Sequence, residues 1–551
     1  MSARERKSSN FIIQGGILAI TGIISRLIGL LYRMPLQRTI GDAGMGYYSA
    51  AFQIYSIMLI ISSYSLPTAV SKLVAARIAR GHYRNARKIY RCALMFAILS
   101  GGATGLIVLF GADSLAGSMM RLDKSAIALR MLAPTLLIVA LMGVIRGYFQ
   151  GLGSMMPTAV SQLVEQIVNA IVSVVAAILL FSQGEKVGAL LHDPEYAYAY
   201  GAAGGTLGTG AGALAGFLIL VVMLISHNRS MNRDVAKDPL KQTEETGKIF
   251  RVLILTILPI ILSTTIYNIS DTIDQGVFNF VMDQKSMSAQ KAELWGIFST
   301  KYRVLTNVPI ALSNALCASM MPTLTASIER GELRQARHKV ALATRFVMVL
   351  SIPCAVGLAV LGGPIVSILF KGNANYQNLP AKLLAFGSVS VVFYSLSTLS
   401  NGILQGIDKM RIPVRNAFFA LIVHLGILYV TLEIFEWGLY GVVVSCILFG
   451  LLMSAFNWLS IRKHLEYKQE IIRTFVIPLI ASLFMGLVVG ALYFICHKFL
   501  PMLLAVVISI VVGACVYFVL LIKFRGVREH EIRKFPGGDF MADIAISLHL
   551  L

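Results

Sequence analysis

Two stretches of the sequence decide the fold: GYFQGLGSMMP at residues 147–157 returns as GILQGIDKMRIP at residues 402–413, an offset of 255 residues. A second pair follows the same order, because GHYRNARK at residues 81–88 returns as GELRQARH at residues 331–338. A repeat of this length points to duplicated architecture. Two independent motif pairs in one order indicate that the chain contains two related halves.

The composition requires a membrane. The 551-residue chain is 56% hydrophobic and only 14% charged, with a mean hydropathy of +0.74. A water-soluble fold of this length carries more polar surface, and a spanning helix takes roughly 20 apolar residues. We expect an all-α integral membrane protein with about 14 transmembrane helices, at residues 11–32, 45–70, 90–111, 129–150, 157–181, 200–226, 250–281, 297–325, 341–370, 380–405, 413–434, 437–460, 473–496 and 501–523.

The repeat divides these helices into two groups. A shift of six spans preserves orientation across the membrane, so we predict two parallel six-helix bundles followed by a C-terminal helix pair. The predicted domains are an N-terminal bundle at residues 1–228, a cytoplasmic linker at 229–248, a C-terminal bundle at 249–461, helices 13 and 14 at 462–524, and a cytoplasmic tail at 525–551.

The net charge of +21 comes from Lys and Arg residues whose positions along the chain indicate the membrane topology. Lys and Arg cluster in alternate connections, such as residues 81–88, whereas the connection at residues 183–198 is nearly balanced. An excess of Lys and Arg marks the cytoplasmic side. We therefore expect a multi-pass protein of the bacterial cytoplasmic membrane with both termini cytoplasmic and no nucleic-acid partner. The six cysteines lack metal-site spacing, so neither a metal nor a cofactor is expected.

Duplicated parallel bundles indicate transport. Two similar bundles with a cleft between them can rock about a central site and expose it to each side in turn, which is alternating access. The competing interpretation is a large membrane scaffold or a membrane enzyme.

Charged residues within apolar segments mark the candidate site, since each costs about 2.5 to 3.5 kcal/mol at the bilayer centre. The first span carries Arg26 and Arg33, and the eighth opens with Lys301 and Arg303. The guanidinium group of Arg can donate hydrogen bonds to two phosphate oxygens at once, and the ammonium group of Lys acts as a point charge. We predict a cationic patch suited to a diphosphate, with snorkelling of the helix 1 arginines to headgroups as the alternative.

Three acidic residues and one further arginine complete the candidates. Asp271 and Asp274 lie on one stripe of the seventh span, where they pair with basic residues, take up a proton or cation, or sit at the outer end in water. Glu165 in the fifth span is either an interhelical anchor or a cavity residue. Arg146, near the inner end of the fourth span, is assigned to a cytoplasmic gate or a headgroup.

The residues also resemble a known family. ISRLIGLLYRMPL at 24–36, SLPTAVSKLVAARIARG at 65–81 and the two glycine-rich turns are similar to the multidrug, oligosaccharidyl-lipid and polysaccharide exporter superfamily. The similarity is to its polysaccharide-transporter branch, which includes stage V sporulation protein B and the lipid II flippases of the MurJ group. The resemblance implies movement of undecaprenyl-diphosphate-linked lipid II to the outer leaflet. It also implies that Arg26 and Arg303 match basic residues of the family's cationic cavity.

Several alternatives stay open. Precursors of capsule, exopolysaccharide or teichoic acid share the diphosphate. A drug/cation antiporter of the same superfamily is disfavoured by arginine in the first span, and a glycan polymerase or ligase by the short outer connections. The energy source is a coupling ion, Na⁺ or H⁺, or the membrane potential. The expected partners are a lipid-linked glycan and membrane lipids, and the expected state is a monomer.

Overall fold

The computed structural model describes residues 20–236, 238 and 243–527, together with residues 533, 543 and 546. Every regular element within this part of the chain is helical. The helices are α1 (Ile20–Leu31), α2 (Arg33–Leu59), α3 (Leu66–Ile78), α4 (Tyr83–Leu115), α5 (Ser125–Gly151), α6 (Met156–Leu191), α7 (Glu195–Ala236), α8 (Thr246–Gln284), α9 (Lys291–Gly296), α10 (Arg303–Glu329), α11 (Leu333–Leu369), α12 (Leu379–Gly387), α13 (Ser390–Gly406), α14 (Arg411–Tyr429), α15 (Leu439–Leu465), α16 (Ile477–Cys496) and α17 (Met502–Lys523).

The described parts of all fourteen predicted apolar segments fall mainly on these helices and on the π-helical turns that adjoin them. The second predicted span comprises α2 and α3, which continue through a π-helical turn at Ile60–Tyr64. The tenth comprises α12 and α13, which are bent by 48°. Among the described residues, ten helices are long and apolar enough to cross a bilayer, or eleven if the bent pair is one span. The prediction of an all-α, multi-pass membrane protein is confirmed.

The first span extends further than predicted. Tyr32 has helical dihedral angles, and its N–H donates to the carbonyl of Ile28 at 3.1 Å, so α1 and α2 are nearly continuous. The break comes at Gly41, where φ is 68°. Leu36 and Ile40 are fully buried one turn apart. This apolar stripe keeps the stretch helical beyond residue 32 despite its basic residues.

The chain forms two compact units that divide between Ile297 and Phe298. Unit 1 contains α1 to α9, and unit 2 contains α10 to α17. The division falls in the π-helical turn Ile297–Tyr302, which leads from α9 into α10. The predicted boundary at residues 229–248 is drawn from the repeat rather than from compactness, and it remains a prediction.

The first repeated turn has the same hydrogen bonds in both units. In unit 1, the N–H groups of Gly81 and His82 donate to the carbonyls of Ile78 and Arg77, at 3.0 and 2.9 Å. In unit 2, the N–H groups of Gly331 and Glu332 donate to the carbonyls of Ile328 and Ser327, both at 2.9 Å. This pair of bonds is the Schellman motif, which closes a helix on a left-handed residue. The glycines have φ values of 76° and 74°.

The second repeated turn is also conserved in geometry between the units. Gly153 has φ of 85°, and Asp408, its counterpart 255 residues later, has φ of 59°. The following residue donates back to a carbonyl five positions earlier, from Ser154 to Phe149 at 3.0 Å and from Lys409 to Leu404 at 2.9 Å. The duplication inferred from sequence is therefore a duplication of turn structure.

We predict that Gly81→Ala and Gly331→Ala destabilise the protein equally, by about 1 kcal/mol each, because an L-residue is strained in the left-handed region. No described atom lies within 4 Å of a Cβ at either position, so packing does not contribute. Thermal unfolding of the purified protein in detergent measures the effect. Gly357→Ala, at an equally open position inside α11, is the control and should not lower the unfolding temperature. Unequal effects at the two glycines would contradict the structural equivalence.

The basic turn of each unit also binds the segment that leaves the last helix of its bundle. In unit 1, Nε of Arg77 donates to Oε1 of Glu244 at 2.9 Å, and this guanidinium holds the pKa of Glu244 below its usual range. In unit 2, Nε of Arg337 donates to the carbonyl of Leu465, and Arg345, two turns further along α11, pairs with Glu470. Because the pKa of Glu244 is lowered in the folded protein, the ionised carboxylate stabilises the fold at neutral pH. This stabilisation is lost as the pH falls through the lowered pKa of Glu244.

A glycine stripe joins α6 to α7 in unit 1. Gly204, Gly208, Gly212 and Gly216 recur every fourth residue of α7. A Cβ at Gly204 or Gly208 would overlap atoms of Ala176 or Ser173 on α6, and one at Gly212 would lie 2.5 Å from the carbonyl oxygen of Glu165. Small residues at this spacing allow helix backbones to touch within a membrane. The stripe is a packing surface that fixes the position of α6, which carries Glu165.

Candidate functional site

The two arginines of the first span lie in unit 1. Arg26 of α1 has an exposed side chain, whereas Arg33, the first residue of α2, is half-buried. Between them, a Cβ at Gly29 would lie 3.9 Å from Oε1 of Gln166 on α6. The stretch that carries both arginines therefore runs beside a polar face of α6.

Polar side chains on α8 are buried within unit 1. Asp274 is 1% exposed, and Asp271, one turn earlier, is half-buried. Gln275 and Asn279 are fully buried, and Nδ2 of Asn279 donates to the carbonyl of Met120 at 2.6 Å. Burying an ionised carboxylate is costly unless polar groups surround it. With only 1% of its surface exposed, the side chain of Asp274 is enclosed by protein. This excludes, for Asp274, the alternative that the carboxylate lies in water at the outer end of the helix.

A further buried carboxylate, Asp42, escaped the sequence analysis. It follows the break at Gly41, it is 5% exposed, and its Oδ1 accepts a hydrogen bond from Nε2 of Gln37 at 2.9 Å. In the sequence, the only indication of this carboxylate was an acidic residue next to a glycine, shortly after the first span. That signal is weak, because Gly and Asp are also ordinary components of exposed turns.

Backbone contact between α2 and α9 holds the polar residues of unit 1 in place. A Cβ at Gly46 would overlap the carbonyl of Ala292, and one at Gly296 would overlap the carbonyl of Asp42. Between these glycines, the fully buried Trp295 donates from Nε1 to Oγ of Ser49 at 3.3 Å. Ser49 in turn contacts Oε1 of Gln275 at 3.5 Å. A continuous chain of polar contacts thus links α9, α2 and α8 beside Asp274.

The two predicted cations of the eighth span lie in unit 2, where their side chains have different surroundings. Lys301 is only 1% exposed, and its Nζ donates to the carbonyl of Lys371 at 3.1 Å. Arg303 is half-buried, and its guanidinium carbon lies 5.8 Å from the centre of the Phe298 ring. The intervening Tyr302 donates to the carbonyl of Gly387 at 3.0 Å. The backbone that carries both cations is therefore anchored to α12.

The structure brings Arg146 and Glu165 together in unit 1. Nη2 of Arg146 on α5 donates to Oε2 of Glu165 on α6 at 2.8 Å, and Nε donates to Oγ of Ser161 at 3.0 Å. The side chains are 15% and 20% exposed, so the pair is largely removed from solvent. The contact supports the interhelical interpretation of Glu165, and it gives Arg146 a partner that the sequence analysis did not assign.

We expect Glu165→Gln to lower the unfolding temperature, because removal of the carboxylate leaves the Arg146 guanidinium poorly compensated, at a cost of about 1 to 3 kcal/mol. The charge-reversed double variant Arg146→Glu/Glu165→Arg should recover part of the loss. If the pair is an anchor, transport per folded molecule changes little. Unchanged thermal stability with lost transport would contradict the anchor and assign Glu165 to substrate binding.

The chemistry of these groups suits an anion. Arg26, Arg33, Lys301 and Arg303 are basic. Within the described part of the chain, no cluster of three or more His, Cys, Asp or Glu side chains is placed to hold a metal ion. Side chains of Arg and Lys are suited to binding phosphate groups.

Comparison with known proteins agrees with this architecture. The protein named lipid II flippase MurJ from Bacillus subtilis (strain 168) is 26% identical over 542 residues, which is 95% of this chain and 96% of that protein. Stage V sporulation protein B from the same organism is 24% identical over 535 residues, covering 94% and 96%. A solved structure described as "Lipid II flippase MurJ, inward closed conformation" matches with a TM-score of 0.65 at 15% identity, covering 91% of this chain and 97% of that one.

The duplicated helical bundles and these similarities define a multi-pass transporter of the multidrug, oligosaccharidyl-lipid and polysaccharide exporter superfamily. The family model described as "Polysaccharide biosynthesis protein" matches residues 13–328, more than half of the chain, and the MatE model matches residues 303–430. The chain belongs to the polysaccharide biosynthesis protein family.

Proposed function

We propose that this transporter is a flippase that moves an undecaprenyl-diphosphate-linked cell-wall precursor, lipid II, from the inner to the outer leaflet by alternating access. The observation that carries the proposal is the set of three arginines and one lysine, Arg26, Arg33, Arg303 and Lys301, which lie at or within predicted membrane-spanning segments. A charge in such a position is expensive and marks a substrate path. Similarity along nearly the whole length of a protein named lipid II flippase supports the choice of substrate.

In this proposal, the residues predicted to bind the diphosphate of the substrate are Arg26, Arg33, Lys301 and Arg303. Guanidinium groups hold phosphate oxygens through charge-assisted hydrogen bonds, which are about twice as strong as neutral ones. The diphosphate is common to other lipid-linked sugars, so the glycan portion must be distinguished by other residues.

The deciding experiment replaces the sole lipid II flippase of a bacterial strain with this chain. Lipid II in the outer leaflet is then measured by its accessibility to a membrane-impermeant enzyme. Restored outer-leaflet lipid II supports the proposal. Failure of the expressed, membrane-inserted protein to restore it would remove lipid II as the substrate. The assay is then repeated with other lipid-linked oligosaccharides.

The buried carboxylates bear on energy coupling and on the rival function. We propose that Asp271 and Asp274 take up the coupling ion, Na⁺ or H⁺. Flipping in vesicles should then depend on the imposed Na⁺ or pH gradient, and Asp274→Asn should abolish that dependence. A response to membrane potential alone would exclude ion coupling.

The rival function is a drug/cation antiporter, which would export hydrophobic cations. Gradient-driven efflux of such a cation would favour this rival function.

A further inference from the structure

A shallow, open cavity lies on the surface of unit 2 beside the segment that joins α11 to α12, and five of its eight lining residues are exposed. Its volume is about 520 Å³, and it is lined by residues 374–379, Lys382 of α12 and Tyr440 of α15. The cavity lies at the end of α11 remote from the basic turn at Gly331. By the charge rule this end faces the outside of the cell.

The wall of the cavity is held in shape by hydrogen bonds. Oδ1 of Asn373 accepts the N–H of Asn375 at 3.0 Å, and the N–H of Tyr376 donates to the carbonyl of Asn373 at 3.2 Å. Earlier in the same segment, the carbonyl of Lys371 accepts a hydrogen bond from the buried ammonium of Lys301. A preformed wall loses little entropy on binding a ligand. The same contact joins the wall to a predicted substrate-binding residue.

The lining has the chemistry of a carbohydrate site. Three carboxamides, those of Asn375, Gln377 and Asn378, each donate and accept hydrogen bonds, as hydroxyl and acetamido groups require. Tyr440, whose ring centre lies 6.5 Å from that of Phe386 in an edge-on arrangement, supplies a flat apolar face.

A single charged side chain completes the lining. Lys382 supplies one positive charge, and none of the eight residues that line the cavity is acidic. The lining therefore favours an amide-bearing sugar with a negative group and disfavours a hydrophobic cation.

We propose that this cavity binds an N-acetylated sugar that carries a carboxylate or phosphate, and that it receives the glycan headgroup of the exported precursor. The assignment rests on the proposed flippase function. It adds a recognition site for the sugar, separate from the cations that bind the diphosphate. Lys301 lies close to the chain segment of the cavity, because its ammonium group donates to the carbonyl of Lys371, three residues before the first lining residue.

The test uses the purified full-length protein in detergent and the soluble disaccharide N-acetylglucosaminyl-N-acetylmuramic acid as the probe. Wild type should bind the disaccharide, Tyr440→Ala should weaken binding at least tenfold, and Tyr440→Phe should retain most of it. Tyr429→Ala is the matched control, because Tyr429 is an exposed residue of α14 outside the lining, and it should bind like wild type. Unfolding temperatures establish that each variant is folded.

The same variants are then assayed for flipping of lipid II. Weaker disaccharide binding together with slower flipping supports the headgroup site. Weaker binding with unchanged flipping would overturn it and leave a free glycan as the ligand. Equal binding by wild type and Tyr440→Ala, or absence of binding, would also overturn it. Because binding is measured without transport, a wild-type chain that fails to flip lipid II defeats the proposed function without deciding the outcome for the cavity.

Discussion

Replacing Arg303 with alanine is expected to reduce outer-leaflet lipid II at least tenfold in the replacement strain, and Arg26→Ala is expected to do the same. A hydrogen bond to a charged group contributes about 1.5 to 3 kcal/mol, which corresponds to a factor of roughly 10 to 100 in binding or rate. Arg303→Lys should retain part of the activity, since it keeps the charge and loses the paired geometry of the guanidinium.

The matched control for both arginines is Arg130→Ala. Arg130 lies on α5 and pairs with Asp113, and both side chains are well exposed. An exposed ion pair contributes about 0 to 1 kcal/mol, so this variant should behave like wild type. Full rescue by Arg303→Ala and Arg26→Ala at wild-type expression would dismiss the cationic binding site, even if the chain itself restores lipid II flipping.

Gly46→Ala should give one of the largest losses of stability among single-methyl changes in unit 1. The new Cβ would overlap the carbonyl of Ala292 on α9, which is backbone and has no alternative rotamer. Relief requires α2 and α9 to separate, with loss of the buried contact between Trp295 and Ser49. Overpacking typically costs about 1 to 3 kcal/mol, and we expect the upper end of that range. Thermal unfolding of the purified protein measures the change.

The control for this variant is Gly102→Ala on α4. Both glycines lie within helices, but no described atom comes within 4 Å of a Cβ at Gly102. Alanine there should be neutral or stabilising, because it is the better helix former by about 1 kcal/mol. Equal unfolding temperatures for Gly46→Ala and wild type would show that α2 and α9 do not require this close approach.

Most of the fold follows from local patterns. Apolar segments long enough for a bilayer located the spans, and the repeat identified turns whose hydrogen bonds are the same in both units. The error at the end of the first span has a simple cause. The uninterrupted apolar stretch ends at residue 32, whereas Leu36 and Ile40 bury a stripe that continues the helix to Gly41.

The candidate site was predictable only in part. Charged residues stand out against an apolar background, and this contrast identified Arg26, Asp274, Lys301 and Arg303. Their partners do not stand out, because pairing joins residues far apart in the chain. Nothing in the sequence indicated that Arg146 and Glu165, on different spans, form a pair. The fold places Nη2 of Arg146 2.8 Å from Oε2 of Glu165. Asp42 was overlooked because burial, and not residue type, distinguishes it from an ordinary turn residue.

The sequence by itself determined that this protein spans a membrane repeatedly, that its two halves are duplicated, and that cations occur within its apolar helices. These properties depend on composition and on periodicity along the chain, which need no knowledge of contacts. Only the tertiary structure decided that α2 and α9 touch through Gly46 and Gly296, and that amides and Tyr440 line one cavity. Burial and pairing are properties of packed helices, because they arise when residues distant in sequence are brought to van der Waals contact.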